Sequence, residues 1–182
     1  MKRILVIVAH PDIENSLINK RWVEELSKEE NITIHELYKA YPTEQIEVKS
    51  EQKLVEMHDT IIFQFPFYWY SSPPLLKKWQ DEVLTYGWAY GRDGTKLKGK
   101  SFMLAISTGS AMSAYKAGGK NQFSIDELTK PFQAMSNLVG MKFLPSFVFY
   151  GLNNSTREDV EKSIPLYMGH MKEHCMEKKL IK

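Results

Sequence analysis

The stretch TIIFQFPFYWYSSPPLLKKW, Thr60 to Trp79, decides the fold. It opens with large and β-branched apolar residues, Ile61, Ile62, Phe63 and Phe65, turns at Pro66 into an aromatic loop, and passes through Ser71-Ser72-Pro73-Pro74. A continuous apolar run marks a strand covered on both faces. A proline in the first helical turn gives up an N–H that has no intrahelical partner. The order is strand, aromatic loop, helix. Ligands of open α/β sheets sit beyond the carboxyl ends of the strands, and rings with free backbone N–H groups at such a place suit a flat aromatic ligand.

Working outward, RILVIVA at 3–9 is a second continuous apolar run and predicts the first central strand. It leads through His10-Pro11-Asp12 into a helix expected from near Ser16, with Leu17, Ile18, Trp22, Val23 and Leu26 at helical spacing. Ile32 to Leu37, with polar Thr33 and His35, predicts a strand nearer the sheet edge. A helix is expected from about Lys49, with Leu54, Val55 and Met57 inward, and the next from Pro73 to Leu84. The segment YGWAYGRDGTKLKGK, 86–100, is a long loop of glycine, charge and rings, and such loops tend to carry function. SFMLAIS, 101–107, predicts the fourth strand. Ser124-x-x-Glu127 has capping-box spacing and should start a helix carrying Leu128, Phe132, Met135 and Leu138 up to Gly140. Met141 to Tyr150 holds the fifth strand, and Ser155-x-x-Glu158 should cap a last helix to about Leu180, broken or bent near Pro165. Strands alternating with helices imply a doubly wound parallel α/β sheet, and five strands favour the flavodoxin-like order 2-1-3-4-5.

With 182 residues, 43% of them hydrophobic, the chain fills one core, so a single domain over 1–182 is expected. A net charge of +2 with dispersed basic residues calls for neither nucleic acid nor an anionic membrane. The lone Cys175 excludes a disulfide framework, and the apolar run Ile4 to Ala9 is too short for a signal or a membrane span. A cytoplasmic protein is expected. Gly94 to Ser101, GTKLKGKS, matches the P-loop pattern in letters, but it leads into a strand, whereas a P-loop follows a strand and opens a helix. No GxGxxG is present. His170 and His174 lie i, i+4 beside Cys175 without a third ligand, so they read as a solvated helix face and no metal is expected. His35 and His58 receive no role.

The 2-1-3-4-5 order gathers the loops His10 to Asn19, Pro66 to Tyr70 and Ser107 to Ser110. Free N–H groups at a helix start near Ser16, with His10 beside them, would hold a phosphate. The plainer reading is that Ser16 caps its helix and His10 ends a strand. The rings of the aromatic loop could fill core or a subunit interface, yet core filling does not require the tight excursion that Pro66 and the small residues after it imply. Gly109 permits close backbone approach, and the hydroxyls around it can meet polar ring atoms. Together the loops describe a pocket with a phosphate end and a planar polar ring, which fits flavin mononucleotide. Tyr115 is packing or a donor at the ring's edge.

The segments AHP at 9–11, SLINKR at 16–21, QFPFYWYSSPPLLKKW at 64–79, YGWAYG at 86–91 and STGS at 107–110 resemble the flavodoxin-like NAD(P)H:quinone oxidoreductases. The likeness is to the bacterial quinone reductases ancillary to glutathione-gated potassium efflux, to general stress and drug-modulator reductases, and more distantly to DT-diaphorase. The resemblance implies FMN, with FAD as the alternative, held without a covalent bond. Its phosphate end falls to His10, Ser16, Leu17, Ile18 and Asn19, its ring to Pro66, Phe67, Tyr68, Trp69 and Tyr70, and its polar edge to Ser107, Thr108, Gly109 and Ser110. It also implies a homodimer in which the loop of Trp88 and Tyr90 reaches the partner's pocket. The implied mechanism is ping-pong: NAD(P)H delivers hydride to the flavin and leaves, then a quinone or other flat acceptor takes two electrons at the same face. Tyr115 matches a tyrosine at the flavin's N1/O2 edge. The relay histidine of the animal enzyme is absent, with Lys120 and Asn121 in its neighbourhood, and Ser110 replaces the family's second glycine. A second reading makes the chain an ancillary subunit docked on a potassium-efflux transporter. A third, a one-electron flavodoxin carrier, fits the +2 charge and the aromatic loop less well.

Overall fold

The structure, a computed structural model, describes residues 2–175. In chain order it contains β1 (Ile4–Val8), α1 (Asn19–Leu26), β2 (Ile32–Glu36), α2 (Leu37–Ala40), α3 (Val48–Glu56), β3 (Thr60–Pro66), α4 (Pro74–Val83) and β4 (Ser101–Ser107). There follow α5 (Ile125–Leu128), α6 (Lys130–Leu138), β5 (Lys142–Phe143), β6 (Phe147–Phe149) and α7 (Arg157–His174). Every strand pairing is parallel, in the order β2-β1-β3-β4-β5 with β6 also on β4. This is the flavodoxin-like order that the strand count favours.

The continuous apolar runs explain the layering. β1, β3 and β4 are buried at every residue, and alternate side chains point to opposite faces. Leu5, Ile7, Ile61, Phe63 and Leu104 pack on one face with Leu76 and Trp79 of α4 and Phe132 of α6. Ile4, Val6, Ile62 and Met103 pack on the other with Trp22 of α1 and Tyr167 and Met171 of α7. β2 is the partly exposed edge strand, as its polar alternation predicts.

Several boundaries differ from the sequence reading. The first helix begins at Asn19, because 13–15 form a separate turn of 3₁₀ helix and the Ser16 hydroxyl accepts the Asn19 N–H at 3.1 Å. Met57 follows α3 and is 50% exposed, while Glu51 and Gln52 turn inward instead. The helix after Ser124 has its capping box but stops at Leu128, and Pro131 starts a second helix, α6, that leaves Leu138 exposed. The fifth strand is interrupted at 144–146, where Pro145 has no N–H for the ladder, so β5 and β6 pair separately with β4. The last helix is capped one residue later than expected, by Thr156 and Asp159, and continues through Pro165 without a break. Its expected end near Leu180 lies outside the described residues. No described helix is long and apolar enough to cross a membrane.

Candidate functional site

The three loops meet at the carboxyl ends of β1, β3 and β4, tied by Ala9 N–H to the Gln64 carbonyl and Phe67 N–H to the Ser107 carbonyl, both at 2.9 Å. Beyond Pro66 the chain makes a tight turn, Ser71 N–H donating to the Tyr68 carbonyl at 2.9 Å. Both central residues are left-handed, Trp69 at φ 48° and Tyr70 at φ 62°. Glycine and asparagine dominate such turns, and a non-glycine residue held there costs about 1–3 kcal/mol. Trp69 is nonetheless 93% exposed. A strained, exposed tryptophan is not filling its own subunit's core.

Phe67, Trp69, Tyr70, Gly109, Ser110, Tyr115 and Asn121 line a cleft of about 210 Å³. This is below the roughly 300–1,000 Å³ of whole small-molecule sites, as suits one end of a divided site. The Tyr70 hydroxyl donates to Asn121 Oδ1 at 3.4 Å. Burial raises the Tyr115 phenol above its ordinary value, against hydrogen bonding with Thr108, so at neutral pH it stays a donor. Tyr150, 5.8 Å away ring to ring, is raised by burial too. Lys120 is exposed and does not line the cleft, whereas Asn121 does.

The loop after β4 is laced to the loop after β6. Thr108 N–H donates to Phe149, Leu152 N–H to Thr108, Gly151 N–H to Ser110 and Asn153 N–H to Gly109, at 2.8–3.3 Å. A Cβ on Gly109 would lie 2.9 Å from the Asn153 amide nitrogen. The glycine thus makes room for Asn153, a different reason from the ligand approach inferred from sequence. The Thr108 hydroxyl donates to the Ser110 carbonyl at 2.9 Å, and Ser107 Oγ accepts from Asn19 Nδ2 at 3.0 Å. Of the residues expected to bring hydroxyls, Ser110 lines the cleft and Ser107 and Thr108 do not.

At the other end, His10 Nδ1 accepts the Asp12 N–H at 3.2 Å, which leaves Nε2 as the donor. Burial lowers the His10 pKa, with Asp12 opposing, so the ring is neutral near pH 7. Leu17 is 42% exposed and Ser16 borders a cleft with Lys20. The Ile18 side chain is fully buried in the core, so it offers a ligand only its backbone. Asn19 is also fully buried; its carbonyl accepts Gln64 Nε2 at 3.2 Å, and Asn19 Oδ1 and Gln64 Oε1 are left without partners. An unpartnered buried acceptor costs about 1–3 kcal/mol. Two of them under the three loops fit a polyhydroxyl chain, such as the ribityl of a flavin, which would bring the donors.

Trp88 departs from expectation. It is 8% exposed and its indole donates to Glu56 Oε1 at 2.7 Å, so it is held within its own subunit. Tyr90 is half-buried, and Tyr86, edge-on to it at 5.8 Å and 72% exposed, is the ring the long loop presents. Sequence reasoning also missed Gln64, Tyr150 and Asn153. Gln64 had a signal, as the polar residue inside IIFQF; Asn153 had none. His170 Nε2 lies 2.8 Å from the Pro145 carbonyl, and no metal-binding cluster occurs among the described residues.

Residues 2–175 match the family described as flavodoxin-like fold. General stress protein 14 of Bacillus subtilis (strain 168) is 62% identical over 161 residues, 88% of this chain and 92% of the relative. The ancillary protein KefF of the glutathione-regulated potassium-efflux system of Salmonella schwarzengrund is 43% identical over 153 residues, 81% and 82% of the two chains. Among solved structures, general stress protein 14 from Treponema denticola in complex with FMN superposes with a TM-score of 0.90 at 41% identity, covering 94% of this chain and 98% of that one. An NADPH-quinone reductase from P. pentosaceus gives 0.83 at 32%, covering 94% and 96%. The chain belongs to the flavodoxin-like family.

Proposed function

We propose that the chain is an FMN-dependent NAD(P)H:quinone oxidoreductase. The observation that carries this reading is the strained turn at Trp69 and Tyr70, which holds rings over a cleft floored by the Gly109 loop. The FMN-bound relative at 41% identity supports the cofactor, and the quinone reductase at 32% supports the acceptor class. When bound, the flavin supplies the two-electron hydride chemistry.

The chain's own residues bind and orient. The backbone N–H groups of Leu17 and Ile18 and the Nε2–H of His10 would hold the phosphate end, since the Ser16 N–H is taken by the Ile13 carbonyl and the Asn19 N–H by the Ser16 hydroxyl. Asn19 Oδ1 and Gln64 Oε1, both buried and unpartnered, would be the acceptors for the flavin's hydroxyl chain. Phe67, Trp69 and Tyr70, which line the cleft, would hold the flavin ring. Tyr115 would stand as a donor at the ring's polar edge, where a fixed donor favours negative charge. Asn121, held toward Tyr70, would be the second polar group there. A single open flavin face would serve donor and acceptor in turn, the condition for ping-pong kinetics.

Trp69, Tyr86, Met112 and Phe123 are left exposed by a single chain. A second copy covering such side chains would form the homodimer that the family resemblance implies. Steady-state assays with NADPH and NADH against menadione test the proposal: parallel double-reciprocal lines are expected, and no turnover by the FMN-loaded protein with either donor would refute it. The 43% identity to KefF supports a second reading, a peripheral partner of a potassium-efflux transporter. Retention on membranes that contain the transporter, unaffected by loss of turnover in a Tyr115→Phe variant, would favour it.

A further inference from the structure

The lysines of GTKLKGKS are not explained by the flavin site. The segment runs straight into β4, so no helix start faces it and it is not a P-loop. Yet Lys96, Lys98, Gly99, Lys100 and Ser101 join Lys2 and Asp59 around a cleft of about 570 Å³. Arg3 precedes β1, and Lys142 opens β5 in register with Ser101. The cleft lies at the amino ends of the strands. The seven residues of β4, at about 3.3 Å each, separate it from the flavin loops by about 20 Å.

The charge there is poorly compensated. Lys2, Arg3, Lys96 and Lys98 form no ion pair among the described residues. Asp59 is the one acidic residue lining the cleft, and its carboxylate accepts the Arg3 backbone N–H at 2.8 Å. Burial pushes the Lys100 ammonium below its ordinary pKa, and Arg3 adds to that while Asp59 and Glu56 oppose it. Lys100 is itself committed to the carbonyls of Glu56 and His58. The whole chain carries only +2, so this crowding is local rather than a general basicity. Like charges gathered without partners weaken a fold and raise the local concentration of anions.

We infer that this cleft is a second binding site, for a small polyanion carrying two or three linked phosphates. Its lining residues choose the class. Lysines act as point charges and suit phosphates, whereas planar carboxylates favour the fork of arginine, and no arginine lines the cleft. No aromatic side chain lines it either, so nothing there stacks on a nucleobase. Free polyphosphate and the triphosphate of a nucleotide therefore present the same recognised chemistry.

Calorimetric titration of the flavin-loaded full chain with sodium tripolyphosphate, and separately with ATP, tests the site. One tripolyphosphate per chain is expected, weaker as salt rises. ATP should bind within roughly threefold of it, because the base finds no stacking partner. A K96E/K98E variant should lose about tenfold or more in affinity at low salt, with flavin content unchanged as the check on folding. Absence of saturable binding, an affinity unmoved in the variant, or ATP binding far more tightly than tripolyphosphate would each overturn the inference.

Discussion

Glu51 is the buried carboxylate on which the scaffold behind the aromatic loop depends, and its replacement should be costly. It is 2% exposed on α3, accepts the Tyr41 hydroxyl at 2.6 Å and the Trp79 indole N–H at 2.7 Å, and lies 2.8 Å from His35 Nε2 of β2. Trp79 belongs to α4, the helix that leaves the aromatic loop. Glu51→Ala strands both donors in the core and removes the charge facing His35, so about 3–5 kcal/mol should be lost. With a urea slope of about 2 kcal/mol per molar, the midpoint of the flavin-free protein should fall by roughly 1.5–2.5 M. Glu51→Gln keeps one acceptor oxygen and should lose less. Acid adds a second signature. Burial alone would raise the Glu51 pKa, but its contacts with His35, Tyr41 and Trp79 outweigh it and hold the pKa below the ordinary 4.5. A depressed folded-state pKa gives stability that is present above the ordinary value and lost as pH falls through the folded one. The gap between wild type and Glu51→Gln should therefore be full at pH 7 and shrink below about pH 4. A midpoint shift under about 0.3 M for Glu51→Ala would refute the argument.

Other perturbations separate binding from folding. Trp69→Ala, at an exposed and strained position, should change unfolding stability by less than about 0.5 kcal/mol while lowering FMN affinity and turnover; unchanged flavin fluorescence titrations would return the loop to mere packing. Stopped-flow reduction should slow in Asn121→Ala and not in Lys120→Ala, since only Asn121 lines the cleft; the reverse pattern would move the polar group to the lysine. Thr156→Ala removes the hydroxyl that accepts the Asp159 N–H at 3.2 Å and should cost about 1 kcal/mol by thermal or urea unfolding.

Much of this was legible in the chain. Continuous apolar strands cannot be satisfied at a sheet surface, so Arg3–Ala9, Thr60–Pro66 and Ser101–Ser107 announced a sheet covered on both faces, and the parallel order followed. What escaped depended on tertiary partners. Ser16 looks like a helix start, but its hydroxyl accepts the Asn19 N–H and the helix begins at Asn19. Trp88 looks like a loop ring free to reach outward, yet Glu56, far away in sequence, receives its indole. Gly109 was legible as a position needing no side chain, but the reason, Asn153, lies beyond the next strand. His35, with no partner in its own segment, finds Glu51 only once α3 packs beside β2.

The visible spectrum of the purified protein, with the released cofactor identified by mass, decides whether the three loops hold a flavin. A yellow protein releasing one FMN per chain is expected, its absorbance bleached by NADPH and restored by a quinone. A colourless protein that takes up no added FMN would contradict that reading.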